Sequence, residues 1–212
     1  MRALIIGATG ATGECLVSEL LADEAYEQVV VFVRRHTDRK HAKLVEHIVD
    51  MSRPEEYADL LAGDVFFSCL GTTLKAAGSK ENQWKIDFEV PAKFAEIAKQ
   101  NKVSTCVVVS AYGASKDSRI FYSRMKGELE ERILRLAFNQ TVIFKPGILK
   151  RQGSDRMGEK VAVKAIEFFN SLGMFRSYRP LPTELLAQKL AKAPKLKSAG
   201  LRYVEKDEIF AF

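Results

Sequence analysis

Tyr122 and Lys126 stand four residues apart in Phe121-Tyr122-Ser123-Arg124-Met125-Lys126. On a helix, residues i and i+4 share a face, so both side chains can enter one cleft. A phenol with a pKa of about 10 is a poor acid or base at neutral pH. A neighbouring ammonium favours the phenolate and lowers that pKa. The pair can then give a proton to a carbonyl oxygen or take one back, and Ser110, closing an apolar run, can set a hydroxyl against the same oxygen. A tyrosine and a lysine often share a helix face. The pattern gains meaning from what precedes it in the chain.

What precedes it is a glycine turn. Arg2-Ala3-Leu4-Ile5-Ile6 reads as a buried strand, and Gly7-Ala8-Thr9-Gly10-Ala11-Thr12-Gly13 follows at once. A chain that leaves a strand, turns on glycines and enters a helix aims several backbone N–H groups at one spot, where the helix dipole adds partial positive charge. That spot suits a pyrophosphate, and therefore a dinucleotide. The spacing is G-x-x-G-x-x-G rather than the common G-x-G-x-x-G. Gly7 makes the tight turn, Gly10 lets the backbone approach the phosphates, and Gly13 lets helix and strand pack closely. Thr9, Ala11 and Thr12 complete the expected contact surface.

The ends of the later strands supply the rest of the expected dinucleotide site. Gln28–Val33 is followed by Arg34-Arg35, with no carboxylate before Asp38. An acidic residue at this strand end accepts from the ribose 2′-hydroxyl of NAD, whereas an arginine pairs with the 2′-phosphate of NADP. NADP(H) is therefore the expected cofactor and NAD(H) the alternative. Arg34 lies 27 residues after Gly7, a little beyond the usual distance of about 20. Asp50, beside Met51, can accept from an adenine amino group or cap the helix at Pro54, and the two readings stand level. Leu70-Gly71-Thr72-Thr73 follows the fourth strand, where Gly71 allows close approach and the threonines offer hydroxyls. Lys126 can also hold the nicotinamide ribose. Pro146-Gly147-Ile148 makes a sharp exit from the sixth strand, with backbone placed to line a nicotinamide pocket.

The elements that must position these residues alternate. Residues 2–6, 28–33, 46–49, 64–69, 104–110 and 140–145 read as strands, and 14–23, 54–61, 88–101 and 119–138 as helices. Continuous apolar strands fit a parallel sheet covered on both faces. The alternation predicts an α/β doubly wound parallel sheet, a Rossmann fold, in one domain over residues 1–212. After Pro146 the pattern changes to helices near 158–171 and 183–192 and a short strand at 201–205. Residues 148–200 are expected to form a small cap on the substrate side.

Of the 212 residues, 47% are hydrophobic and 28% charged, an ordinary globular composition. No apolar run approaches membrane-spanning length, and no signal-peptide pattern opens the chain. Three cysteines (Cys15, Cys69 and Cys106) argue against a disulfide scaffold, and a cytoplasmic location is expected. Cys15 stands in the first turn of a helix, where a thiolate is favoured, but packing is the preferred reading. Residues 1–70 hold 7 basic and 12 acidic side chains, and residues 71–212 hold 26 and 15. The basic half could attract an anionic substrate or an acidic protein, but a solvated surface is favoured. Without an aromatic-interleaved stripe, nucleic acid is a weak reading. His36, His41 and His47 lack metal-type spacing, so no metal site is expected.

With these segments in order, the sequence resembles the atypical short-chain dehydrogenases/reductases, and especially the Tat-interacting-protein-like group. The matching pieces are GATGATG at 7–13, VFVRR at 31–35, SCLGTT at 68–73, VVVSAYGA at 107–114, FYSRMKGELE at 121–130 and FKPGIL at 144–149. The resemblance implies a Rossmann fold, an NADP(H) site and a Ser110–Tyr122–Lys126 triad. Asp87 departs from many extended members, which carry Asn in the matching segment. The chain is also short for a sugar-nucleotide epimerase. The expected function is NADP(H)-dependent oxidation or reduction of a small, unidentified carbonyl or alcohol. The alternative is a cofactor-dependent regulatory protein without turnover, acting through a protein partner.

Overall fold

The computed structural model describes residues 1–150, 179–196 and 199–212. Its strands are β1 (Arg2–Ile6), β2 (Gln28–Val33), β3 (Leu44–Ile48), β4 (Val65–Ser68), β5 (Thr105–Val109), β6 (Gln140–Lys145), β7 (Leu149–Lys150), β8 (Leu181–Pro182) and β9 (Gly200–Glu205). Its helices are α1 (Ala11–Ala22), α2 (Leu74–Ala77), α3 (Lys80–Trp84), α4 (Val90–Gln100), α5 (Phe121–Arg135), α6 (Thr183–Lys192) and α7 (Glu208–Ala211). Among the described residues, seven parallel strands form one sheet in the order β3-β2-β1-β4-β5-β6-β9. The chain runs outward from β1 to β2 and β3, then returns across β1 to β4. That reversal opens a crevice at the carboxyl ends of β1 and β4, the place where doubly wound sheets bind ligands.

The period of two along each strand divides its side chains between two cores. Ala3, Ile5, Val29, Val31, Phe67 and Phe144 face α1 and α6, meeting Leu16, Leu20, Leu186 and Leu190. Leu4, Ile6, Val30, Phe32, Phe66 and Ile143 face α4 and α5, meeting Phe94, Ile97, Leu129 and Ile133. Phe32 and Phe94 meet edge to face at 5.6 Å between ring centres. Each fully buried side chain of this size contributes roughly 1.5–3 kcal/mol, so both helix layers hold the strand ends firmly.

Several elements differ from expectation. Residues 54–61 form a 3₁₀ turn (Pro54–Leu60) rather than an α-helix, with Tyr57 outside helical backbone angles. The helix expected at 88–101 begins earlier: α3 passes through a π turn at Lys85–Glu89 into α4. Ser79 caps its start by accepting from the Asn82 N–H at 3.1 Å. The strand expected at 201–205 becomes β9, which pairs in parallel with β6 and extends the main sheet. The stretch expected as a cap divides. The helix near 158–171 lies outside the described residues, whereas α6 covers a sheet face beside α1.

Candidate functional site

The glycine turn is shaped by contacts that exclude side chains. Gly7 has φ +79°, and a Cβ there would lie 2.5 Å from the Cys69 carbonyl carbon. A Cβ on Gly13 would overlap the Gly7 carbonyl oxygen. Gly10 donates to Gly7 O at 3.0 Å and accepts from the Glu14 N–H at 2.8 Å. It caps α1 without any side-chain hydrogen bond, so the N–H groups of the first turn keep their capacity for an anion. The cradle, closed to side chains at Gly7 and Gly13, fits a pyrophosphate.

Beside it lies a cavity of about 600 Å³. Gly10, Ala11 and Thr12 form one wall, and Leu70, Gly71 and Thr72 a second. Ser110, Tyr122 and Lys126 form a third, together with Phe121, which the sequence reading did not single out. Residues from β5 and α5, distant in sequence from the glycine turn, thus share one space with it. Tyr122 is 39% exposed, Lys126 only 2% and Ser110 only 5%. The phenol is open to a ligand while the ammonium lies beneath the surface.

The Gly71–Thr73 loop is clamped from α3 and the π turn. Gln83 Nε2 donates to Thr72 O at 3.0 Å. Asp87 Oδ1 accepts the Thr72 N–H at 2.8 Å. Asp87 is fully buried, and burial raises its carboxyl to about 6 against the opposing charge of Lys126 and the Thr72 hydrogen bond. Gln83 was missed because one polar residue on a helix carries no local signature.

Ser110 differs from expectation. Its hydroxyl donates to Glu130 Oε1 instead of being free for a carbonyl oxygen. Glu130 Oε2 is 3.2 Å from Lys145 Nζ, and Lys145 is 3.5 Å from Glu205 Oε1. The spacing held a signal for Glu130: it follows Lys126 by four residues and Tyr122 by eight, on one helix face.

The expected adenosine end is a separate cavity of about 270 Å³, lined by Gly7, Thr9, Arg34, Met51, Gly71 and Thr72 among others. Arg34 is brought to it, while Arg35 is exposed and lines none of these cavities. Asp50 is not brought to the cavity either. Its carboxylate accepts from Ser52 N at 2.9 Å, Ser52 Oγ at 2.6 Å and Arg53 Nε at 3.1 Å, and the 3₁₀ turn at Pro54 starts without a side-chain cap. Pro146, Gly147 and Ile148 line a third cavity, of about 320 Å³, which shares Tyr122 with the 600 Å³ one. The three cysteines are free; burial pushes the Cys15 thiol up and the Cys69 thiol to about 12, so the thiolate bias at the α1 terminus is overridden. Among the described residues, no group of three His, Cys, Asp or Glu could hold a metal ion. No described helix is long and apolar enough to cross a membrane.

Comparisons with known proteins agree with this geometry. A family model described as NAD(P)H-binding matches residues 7–170. The mitochondrial protein FMP52 of Eremothecium gossypii is 40% identical over 150 residues, covering 70% of this chain and 66% of that protein. The protein HTATIP2 of Rattus norvegicus is 36% identical over 174 residues, covering 79% of this chain and 70% of its own length. Among solved structures, MoeE5 in complex with UDP-glucuronic acid and NAD superposes with a TM-score of 0.75 at 16% identity, covering 97% of this chain and 76% of that one. This last likeness shows the fold. The FMP52 relatives, named as mitochondrial in several fungi, overturn the cytoplasmic expectation.

Proposed function

We propose a function from the premise that this chain belongs to the NAD(P)H-binding family and is an atypical short-chain dehydrogenase/reductase related to the Tat-interacting-protein group. The reading is an NADP(H)-dependent oxidoreductase acting on a small carbonyl or alcohol. One observation carries it: the glycine cradle, Tyr122 and Lys126 line a single cavity at the sheet's carboxyl edge.

The N–H groups at the start of α1 would hold the pyrophosphate, and the Gly71–Thr73 loop would line the adjoining ribose. Arg34, in the wall of the adenosine-side cavity, supports NADP(H) over NAD(H). When bound, the nicotinamide supplies or accepts the hydride. Tyr122 gives its phenolic proton to the carbonyl oxygen in reduction and recovers it in oxidation. Lys126, buried beside Asp87, stabilises the phenolate that remains.

The test is NADPH oxidation against a panel of aldehydes, ketones and quinones, for wild type and Tyr122→Phe, with NADPH binding checked in both. The expected outcome is turnover in wild type, a loss of about 10²–10⁴-fold in the variant and unchanged NADPH affinity. An equal rate in the variant removes Tyr122 from the chemistry.

A second reading, a cofactor-sensing protein that reports NADPH or NADP⁺ to a protein partner, is favoured by one observation. The Ser110 proton is committed to Glu130 rather than to the cavity. Tight NADPH binding without turnover, and partner capture that differs between NADPH and NADP⁺, would select it.

A further inference from the structure

The proposed chemistry gives no role to Glu130, a buried carboxylate that touches the site. It is 5% exposed and lies on the α5 face that carries Tyr122 and Lys126. One carboxylate oxygen accepts from Ser110 at the end of β5, and the other pairs with Lys145 of β6 at 3.2 Å. Lys145 also pairs with Glu205 of β9 at 3.5 Å, donates to Ala114 O at 3.3 Å, and lies 5.1 Å from the Tyr203 ring centre. Among the described residues, the charged and titratable groups that act on Glu130 are Lys145 from β6 and Tyr203 and Glu205 from β9, with Glu131 and, one turn back, Lys126 on its own helix. Of the two lysines, Lys145 is in direct contact with Glu130.

A serine hydroxyl has one proton and two lone pairs, and an ionised carboxylate only accepts. While Glu130 is ionised, the Ser110 proton points at it in a charge-assisted bond. The hydroxyl then has only lone pairs left for the cavity. A carbonyl oxygen, itself an acceptor, gains nothing from such a group, whereas a second hydroxyl on the same ligand does.

We propose that Glu130 is a positioning residue that fixes the hydrogen-bond polarity of Ser110. As a carboxylate it turns Ser110 into an acceptor, so the site takes carbonyl compounds that carry a neighbouring hydroxyl, and the corresponding diols. Tyr122 serves the reacting oxygen and Ser110 the neighbouring hydroxyl. The substrate class rests on the oxidoreductase reading above; the polarity of Ser110 rests on the chain alone.

Glu130→Gln tests it without changing shape. Lys145 draws the amide oxygen toward itself, which leaves the amide N–H₂ to donate to Ser110. The Ser110 proton is then free to enter the cavity. The probes are hydroxyacetone and butanone, which have the same heavy-atom framework and differ by a hydroxyl in place of a methyl. In wild type, kcat/KM with NADPH is expected to favour hydroxyacetone by about 10-fold or more, the scale of one buried hydrogen bond. In Glu130→Gln that preference should fall at least about 5-fold, with NADPH affinity unchanged.

A second measurement needs no substrate. Burial pushes the Glu130 carboxyl up while Ser110 and Lys145 pull it back; its ¹³C signal should still report an ionised group at pH 7, and Ser110→Ala should move its titration midpoint further up. A protonated Glu130 at pH 7, or a midpoint that ignores Ser110→Ala, overturns the polarity. An ionised, Ser110-sensitive Glu130 with an unchanged ketone preference in Glu130→Gln overturns the substrate class. If wild type turns over neither ketone, the substrate class falls too. The aldehyde, ketone and quinone panel then judges the oxidoreductase reading separately, while the NMR result alone decides the polarity.

Discussion

Asp87 and Thr72 are joined beside the cavity that Tyr122 and Lys126 line: Asp87 Oδ1 accepts the Thr72 backbone N–H at 2.8 Å. The other oxygen, Oδ2, is buried and has no hydrogen-bond partner among the described residues. A carboxylate half-satisfied in this way is costly to ionise. The cost is accepted where the chain must fix a loop that lines a ligand cavity, and a π turn, a feature frequent at functional sites, carries the residue.

This burial has a consequence for stability. Asp87 is raised from 3.8 to about 6 in the folded chain. Between those values the folded state keeps a proton that the unfolded state has released. Stability contributed by this group is therefore highest below the lower value and falls as pH rises through the window, by about 3 kcal/mol in all. Asp87→Asn removes the titration. Urea unfolding at pH 4 and pH 7 should show the variant gaining stability relative to wild type at the higher pH. Identical pH dependence of the two proteins would count against an elevated carboxyl at this position.

Arg34 should govern cofactor choice. It lines the adenosine-side cavity, whereas Arg35 does not. Arg34→Ala is expected to weaken NADPH binding by about 10-fold or more, the scale of one charge-assisted contact, and to leave NADH binding nearly unchanged. Arg35→Ala should do much less. Calorimetric titration with both nucleotides reads the difference, and equal losses for NADPH and NADH would place the 2′-phosphate elsewhere.

Gly127 is a further position, after Gly7 and Gly13, where only glycine fits, and it lies next to Lys126. A Cβ there would overlap the backbone of Ser115 and Lys116, which crosses α5 at that point. Ser115 N donates to Ser123 O at 3.1 Å, so the loop is tied to the helix close by. Gly127→Ala should destabilise the protein by about 1–3 kcal/mol, although alanine is the better helix former in isolation. A rise in the thermal midpoint would show that the loop can move aside at little cost.

Much of the fold was legible in the chain because its signals are local. The run Arg2–Ile6, the glycines that follow and the Tyr122–Lys126 spacing each encode their geometry within a few residues, so strand, turn and helix face could be read directly. β9 was harder. Most of its side chains are exposed at the sheet edge, so the burial pattern that marks other strands is weak. The 3₁₀ turn at Pro54–Leu60 shows the converse, since an apolar and acidic pattern suggested a helix whose backbone angles Tyr57 does not keep.

The sequence by itself determined the doubly wound sheet, the anion cradle at the start of α1 and the helix face that presents Tyr122 and Lys126. Only the tertiary structure decided that the Ser110 hydroxyl meets Glu130, 20 residues away. It also decided that Asp87 reaches back 15 residues to hold Thr72, and that Pro146, Gly147 and Ile148 open onto a cavity on the far side of Tyr122. Backbone periodicity is set by neighbours along the chain. The direction of a hydroxyl proton and the cost of a buried charge depend on which distant groups the sheet brings within 3 Å or so.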